Sequence, residues 1–307
     1  MRPVLLCLLL IAPLCIAAPL RLSLQSEAEQ LQFHYRFDDS ERSEELMFSI
    51  DNSSLNNHFR QFRALKPALM QQYLWRDLRE HVAKYPGVRL RRLAGKNALR
   101  YELESRDNST LLKLDTELAQ LLVERRAYYL HQYYYTELTL PWGTKVIIPD
   151  HQRLMQDSLT DLLPVATAWH KKLVNITTRQ SLAMLTNWVQ QIPYQDLTDR
   201  NNSAGASFSP PLRLLQENRG DCDSKAVLLA AVLRMLLPDV KLAIIYLPKH
   251  AMLAIQLPTA AEDMTVTIEN KPYLLVDATG PASLAPGQIS TQYRMYTESG
   301  QFGYQLL

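Results

Sequence analysis

A chain of 307 residues is long enough to bury one large core or two modest ones. Its 47% hydrophobic and 21% charged residues are an ordinary globular composition, which excludes a disordered or fibrous chain. Lys and Arg number 33 against 31 Asp and Glu. A net charge of +2 with the signs interspersed gives no electrostatic footprint for nucleic acid.

The N-terminus reads as an export signal. Arg2 precedes an apolar run over residues 4–16, broken by Pro13, and Cys15-Ile16-Ala17 sets small residues where a signal peptidase reads. A signal peptide over 1–17 with cleavage after Ala17 is expected, giving a periplasmic or secreted protein with no stable membrane span. A membrane span needs about 20 apolar residues, and this run is shorter. An uncleaved anchor and a lipid-modified Cys15 are the alternatives. The three cysteines are Cys7, Cys15 and Cys222, so cleavage leaves one thiol in an oxidising compartment, where it has nothing to pair with.

Residues 31–37 alternate Leu, Phe, Tyr and Phe against Gln, His and Arg, the period of a strand, and residues 46–50 are its expected hairpin partner. Residues 56–83 are expected as one helix kinked at Pro67, ended by Pro86-Gly87. Residues 88–93 and 98–103 read as a hairpin around Gly95-Lys96-Asn97, and residues 111–135 as a helix. The tyrosines at its end (Tyr128, Tyr129, Tyr133, Tyr134, Tyr135) are expected in packing rather than as a ligand platform. Residues 136–148 are extended or loop.

The character changes at Pro149-Asp150-His151. Helices are expected over residues 151–174, 181–191 and 212–217, with a Ser/Ala/Gly/Asn/Pro loop over 201–211. Residues 227–237 are almost all apolar and read as a buried helix stopped by Pro238. Strands follow over 241–247, 250–257, 264–268 and 273–279, with Asn270-Lys271 as the last turn. The layout is α+β, with a signal over 1–17, an N-terminal α+β domain of unknown role over 18–150 and a C-terminal domain over 151–307.

In the C-terminal part Cys222 opens a buried helix, His250 opens a strand, and Asp277 ends a later one. The free N–H groups and positive dipole end of a helix N-terminus favour a thiolate. Gly220 permits a close backbone approach just before it. A histidine can take the thiol proton and return it to a leaving amine, and a carboxylate on the far ring nitrogen fixes its orientation. Gln191, Trp188 and Tyr194, upstream of the cysteine, are candidate donors to an oxyanion, besides the Cys222 N–H. The remaining histidines (His34, His58, His81, His131, His151, His170) have no cysteine or metal-ligand spacing nearby, and surface or packing roles are expected for them. His131, among tyrosines, is the one to inspect. No zinc pattern is present and no cofactor is expected.

Gly220-Asp221-Cys222-Asp223-Ser224-Lys225-Ala226 and the apolar run after it resemble the nucleophile helix of the transglutaminase-like superfamily. His250-Ala251 resembles its histidine motif, and Val276-Asp277-Ala278-Thr279-Gly280 its aspartate motif. The run Asn187-Trp188-Val189-Gln190-Gln191-Ile192-Pro193-Tyr194 is similar to the helix end that precedes the cysteine in many members. The resemblance covers residues 182–281 and implies an exported bacterial member. It also implies a papain-related core, a nucleophile helix packed on an antiparallel sheet, here with an N-terminal α/β extension. The implied activity is thiol chemistry on protein or peptide amides, with Cys222, His250 and Asp277 as catalytic triad. Peptidase or amidase action, protein crosslinking by transfer to an amine, and a non-catalytic binding module of the same fold are the three readings.

Overall fold

The computed structural model describes residues 21–39, 42–57, 59–60, 62–95, 99–197 and 207–307. The expected signal peptide, with Cys7 and Cys15, lies outside the described residues. So do His58, most of the loop over 201–211 and part of the turn at Gly95-Lys96-Asn97.

Three strands open the described chain: β1 (Arg21–Glu27), β2 (Gln30–Asp39) and β3 (Arg42–Asp51), an antiparallel sheet in that order. β2 and β3 are the expected hairpin. β1 was not anticipated: it is mostly exposed, and its apolar face is only Leu22, which packs on the core, and the exposed Leu24. The expected helix over 56–83 is instead two helices, α1 (Asn52–Asn57) and α2 (Pro67–Val82). Pro67 does not kink a helix but starts one. Without an N–H it fits the first turn, and it pushes Lys66 to φ −113°, ψ 89°, out of the helical region. A hairpin of β4 (Arg89–Leu93) and β5 (Arg100–Glu104), the helix α3 (Asn108–Gln132), and a second hairpin of β6 (Tyr135–Thr139) and β7 (Lys145–Pro149) follow.

The expected helix over 151–174 is also two, α4 (His151–Ser158) and α5 (Leu163–Lys172), with Pro164 in the first turn of the second. Next come α6 (Thr178–Gln191), α7 (Pro211–Glu217) and α8 (Cys222–Leu236). The chain then runs through β8 (Leu242–Leu247), β9 (His250–Ile255), β10 (Thr265–Ile268), β11 (Lys271–Val276), α9 (Thr291–Glu298) and β12 (Gly303–Leu306). The last two elements were not anticipated. Helices and antiparallel sheets make the protein α+β. No helix among the described residues is long and apolar enough to cross a membrane.

The sheet of five strands is ordered β10-β11-β9-β8-β12, antiparallel throughout. Side chains alternate between its faces. Ala251, Leu253, Ile255, Leu274 and Val276 face one core, which holds α8. Met252, Ala254, Tyr273 and Leu275 face a second, smaller core with Tyr293 and Tyr296 of α9. Between Ser224 and Leu233 every residue of α8 is buried, so this helix is the centre of the larger core. The aromatic face of the N-terminal sheet joins the same core. Phe33, Tyr35 and Phe48 stack there, Tyr35 meets Trp188 of α6 edge-on at 5.7 Å, and its hydroxyl donates to the Leu215 carbonyl at 3.0 Å. α2 and α3 pair separately around Leu78, Val82, Leu114 and Leu118.

Candidate active site

The β8–β9 turn fixes where β9 begins. Pro248 presets its own φ, Lys249 takes φ 59°, and Leu247 pairs with His250, so the histidine is the first residue of the strand. β11 lies directly beside β9 and antiparallel to it, with Val276 opposite Leu253, and β10 lies outside the pair. One more step of that register sets Asp277 opposite Met252. His250 is then its diagonal neighbour on the same face. The two side chains meet there: His250 Nε2 lies 3.0 Å from Asp277 Oδ2. Both side chains are only 7% exposed. This leaves His250 Nδ1 without a hydrogen bond to any described residue.

Asp277 is held from several directions. Burial pushes its carboxyl up, but the hydrogen bond and charge of His250 and the N–H of Thr279 outweigh this and hold it below the usual range. Its carbonyl accepts from the Gln190 side chain at 2.6 Å, and the same amide nitrogen donates to the Leu284 carbonyl at 2.9 Å. Gln190 thus ties the end of α6 to the chain after β11. Gly280 makes this approach possible, since a Cβ there would stand 2.0 Å from the Gln190 carbonyl oxygen, and its φ is +65°. Tyr293 of α9 lies flat on the His250 ring, centroids 4.3 Å apart and planes 3° from parallel.

Cys222 is the first residue of α8. Asp221 caps the helix by accepting from the Ser224 N–H at 3.3 Å. Residues 193–195 run beside Gly220 through a parallel bridge, with Gln195 N–H donating to the Gly220 carbonyl at 3.1 Å. Gly220 is required for packing, because a Cβ would meet Leu214 Cδ1 at 2.7 Å. The Cys222 sulfur is half-buried, and the backbone N–H groups of Ala251, next to His250, and of Asp223 pull its pKa down. Tyr293 feels the charges of both Asp277 and Cys222. The cysteine, histidine and aspartate expected from the sequence are therefore neighbours.

The electrostatics of the thiol differ from the expectation. Burial pushes the Cys222 thiol well above its ordinary value, and the flanking Asp223 and Asp221 carboxyls push it further; the two N–H groups pull the other way and lose. A helix N-terminus alone would favour thiolate. Here it is outweighed by desolvation and by two acids within one residue, so the resting group is a thiol.

Of the three upstream candidates, only Tyr194 is acted on by the Cys222 charge, and its side chain is half exposed. Burial, with the Cys222 charge next, raises its phenol to about 12, so it stays a donor at neutral pH. The side-chain amide nitrogen of Gln191 donates to the carbonyls of Asp38 at 2.7 Å and Asn187 at 3.0 Å, and its oxygen accepts from the Asp38 N–H at 3.1 Å. That amide staples β2 to α6. Trp188 is fully buried between Tyr35 and Trp169. Neither residue is brought to the thiol, because their turns of α6 face the N-terminal sheet.

Several further residues belong to this neighbourhood. His151, at the start of α4, is 1% exposed and bonded on both ring nitrogens: to the Tyr246 hydroxyl at 2.6 Å and to Asp223 Oδ2 at 3.1 Å. Burial pulls its pKa down to about 4. Tyr246 donates onward to Gln305 at 3.1 Å. Burial raises both Asp221 and Asp223, and the charge of Asp223 raises Asp221 further. Lys225 is fully buried and donates to the carbonyls of Ile192 and Thr279, bridging the end of α6 to the Asp277 segment. Burial pulls its amine down to about 7, against the pull of Asp277, Asp221 and Cys222. A lysine inside an apolar helix was a visible flag. His151 and Tyr293 gave weaker signals, the cap positions Asp150 and Ser290 just before their helices. His131, singled out among the tyrosines, contributes only its backbone carbonyl, to Arg153 at 2.6 Å.

No family model matches the chain, and no curated protein matches it.

Proposed function

We propose that the protein is an exported, thiol-dependent hydrolase of protein or peptide amides, a member of the transglutaminase-like superfamily with a papain-related core. The observation that carries this is the His250–Asp277 pair at the sheet end. One ring nitrogen is anchored at 3.0 Å, and the N–H of the next residue, Ala251, acts on the Cys222 thiol to lower its pKa. A buried helix packed on an antiparallel sheet, with the cysteine first in that helix, supports the same reading.

In this mechanism the thiol is not ionised in advance. His250 takes its proton through Nδ1 as the sulfur attacks the substrate carbonyl. Asp277, charged and hydrogen-bonded, orients the ring and stabilises the imidazolium. The carbonyl oxygen becomes an oxyanion, met by the Cys222 N–H at the helix start and by the Tyr194 hydroxyl. His250 then protonates the leaving amine, and water cleaves the thioester. Tyr293 positions His250 by stacking on its face. The export reading rests on the apolar run over 4–16 and on a single thiol remaining after cleavage at Ala17.

The test is a fluorogenic peptide library incubated with the wild-type protein and with Cys222→Ala, with and without dansylcadaverine. Thiol-dependent cleavage that the amine does not divert supports the hydrolase. Incorporation of the amine into protein gives the crosslinking enzyme instead. No thiol-dependent turnover on any arm returns the chain to a binding module.

A further inference from the structure

A second candidate site lies away from the thiol, where α2 and the C-terminal end of α3 meet residues 60–66. Two hollows adjoin there and share Arg63, Tyr73, Tyr129 and Tyr133. The wider, about 570 Å³, is rimmed by Arg60, Arg63 and Arg76 with Tyr73, Tyr128 and Tyr133. The narrower, about 160 Å³, is an apolar slot under Leu65, Leu69 and Met70 with Lys66 at its mouth. No carboxylate lines either one among the described residues.

The floor is built rather than left to surface side chains. Asp77 is 7% exposed. It accepts from Arg125 Nε at 2.6 Å, from an Arg76 terminal nitrogen at 3.1 Å and from the Tyr129 hydroxyl at 2.7 Å. Arg76 also donates to that hydroxyl at 2.9 Å. The guanidinium groups lie over rings, Arg76 over Tyr73 at 5.6 Å and Arg125 over Tyr128 at 4.8 Å. Tyr73 and Tyr133 line both hollows and stand at their junction.

The charge does not balance locally. Among the described residues, the carboxylates in ion pairs with Arg60, Arg63, Lys66, Arg76 and Arg125 are Asp77, with Arg76 and Arg125 beneath the hollows, and Glu80, 3.8 Å from Arg76. Arg60 and Arg63 reach backbone carbonyls through Nε, and neither has a carboxylate partner among the described residues. Forked donors without an acid, beside an apolar slot, fit a ligand with an anionic head and an apolar body.

We propose that this composite hollow binds a small soluble organic acid, its carboxylate or phosphate on Arg60 and Arg63 and its apolar part in the slot beside Leu69. The site is independent of the thiol chemistry, so it is tested on the full chain and on Cys222→Ala alike. The probes are hexanoate, hexanol and acetate, titrated calorimetrically. Hexanoate is expected to bind, with hexanol and acetate, each carrying half of the ligand, at least about tenfold weaker. Arg63→Gln should weaken hexanoate about tenfold and leave hexanol unchanged. Leu69→Trp, which fills the slot from a partly buried position, should weaken hexanoate with Arg63 intact. Hexanol binding as well as hexanoate, or hexanoate binding indifferent to Arg63→Gln, would overturn the proposal. So would co-sedimentation with phosphatidylglycerol vesicles by a protein that binds no hexanoate, since the anion would then be a membrane headgroup.

Discussion

Two histidine–aspartate pairs flank the same cysteine, and they differ in what the second ring nitrogen meets. In one, His250 bonds Asp277 at 3.0 Å and keeps Nδ1 unbonded among the described residues. In the other, His151 bonds Asp223 at 3.1 Å and spends its other nitrogen on Tyr246 at 2.6 Å. The carboxyl of the first pair is held below the usual range by His250, whereas that of the second is pushed up by burial. Under the proposed function the first exchanges a proton and the second holds a helix end together, and it is the remaining nitrogen, not the pair distance, that distinguishes the two.

Breaking the first pair should stop the chemistry. Cys222→Ala or His250→Ala is expected to reduce turnover by at least about 10³-fold, measured as kcat on whichever fluorogenic peptide is cleaved. Cys222→Ala should leave the unfolding midpoint nearly unchanged, whereas His250→Ala, which strands the buried Asp277 carboxyl, should also cost about 1–3 kcal/mol. Asp277→Asn should cost less, about 10²- to 10⁴-fold, because the base survives with poorer orientation.

Breaking the second pair should appear in stability instead. His151→Gln leaves buried partners poorly bonded and should cost about 1–3 kcal/mol in urea unfolding at pH 7. The pH dependence identifies the residue. His151 is depressed to about 4 in the folded chain, whereas an unfolded histidine titrates near 6.5. Between those values the unfolded state binds more protons, so wild type loses stability as pH falls through that window. Relative to His151→Gln, the loss should reach about 3 kcal/mol, and a flat difference would sever the assignment. Asp221 and Asp223, raised by burial, act in the opposite sense in both proteins and largely cancel in the difference.

Smaller effects sharpen the comparison. Tyr293→Leu should lower kcat about three- to tenfold while Tyr293→Phe stays near wild type, since the flat ring contact and not the hydroxyl positions His250. Gln191→Ala should leave kcat unchanged and cost about 1 kcal/mol, as a staple to Asp38 rather than an oxyanion donor. A large kcat loss with KM unchanged would restore Gln191 to the reaction.

What could be read from the sequence was whatever repeats within one element or stands at its end. The apolar run after Cys222 and the strand that His250 opens had the right periods, and the strand expected over 273–279 ends at Val276, one residue before Asp277. The single long helices expected over 56–83 and 151–174 were each two, because a proline tolerated at a helix start was read as a kink or passed over. The His151–Asp223 contact spans 72 positions and Tyr293 lies 43 residues beyond His250, and no local period encodes such contacts. The thiol's electrostatics failed for a related reason. The helix terminus is local and visible, whereas the depth of burial that outweighs it exists only after folding.

The most direct test is the rate of iodoacetamide alkylation of Cys222 against pH, in wild type and in His250→Ala. The account has a buried thiol, opposed by Asp221 and Asp223, that depends on His250 to lose its proton. The wild-type inflection should therefore lie below that of His250→Ala. The variant, left with burial and two acids, should titrate above the reference thiol value of about 8.5. Two coincident profiles would show that His250 does not act on the sulfur and would contradict the triad.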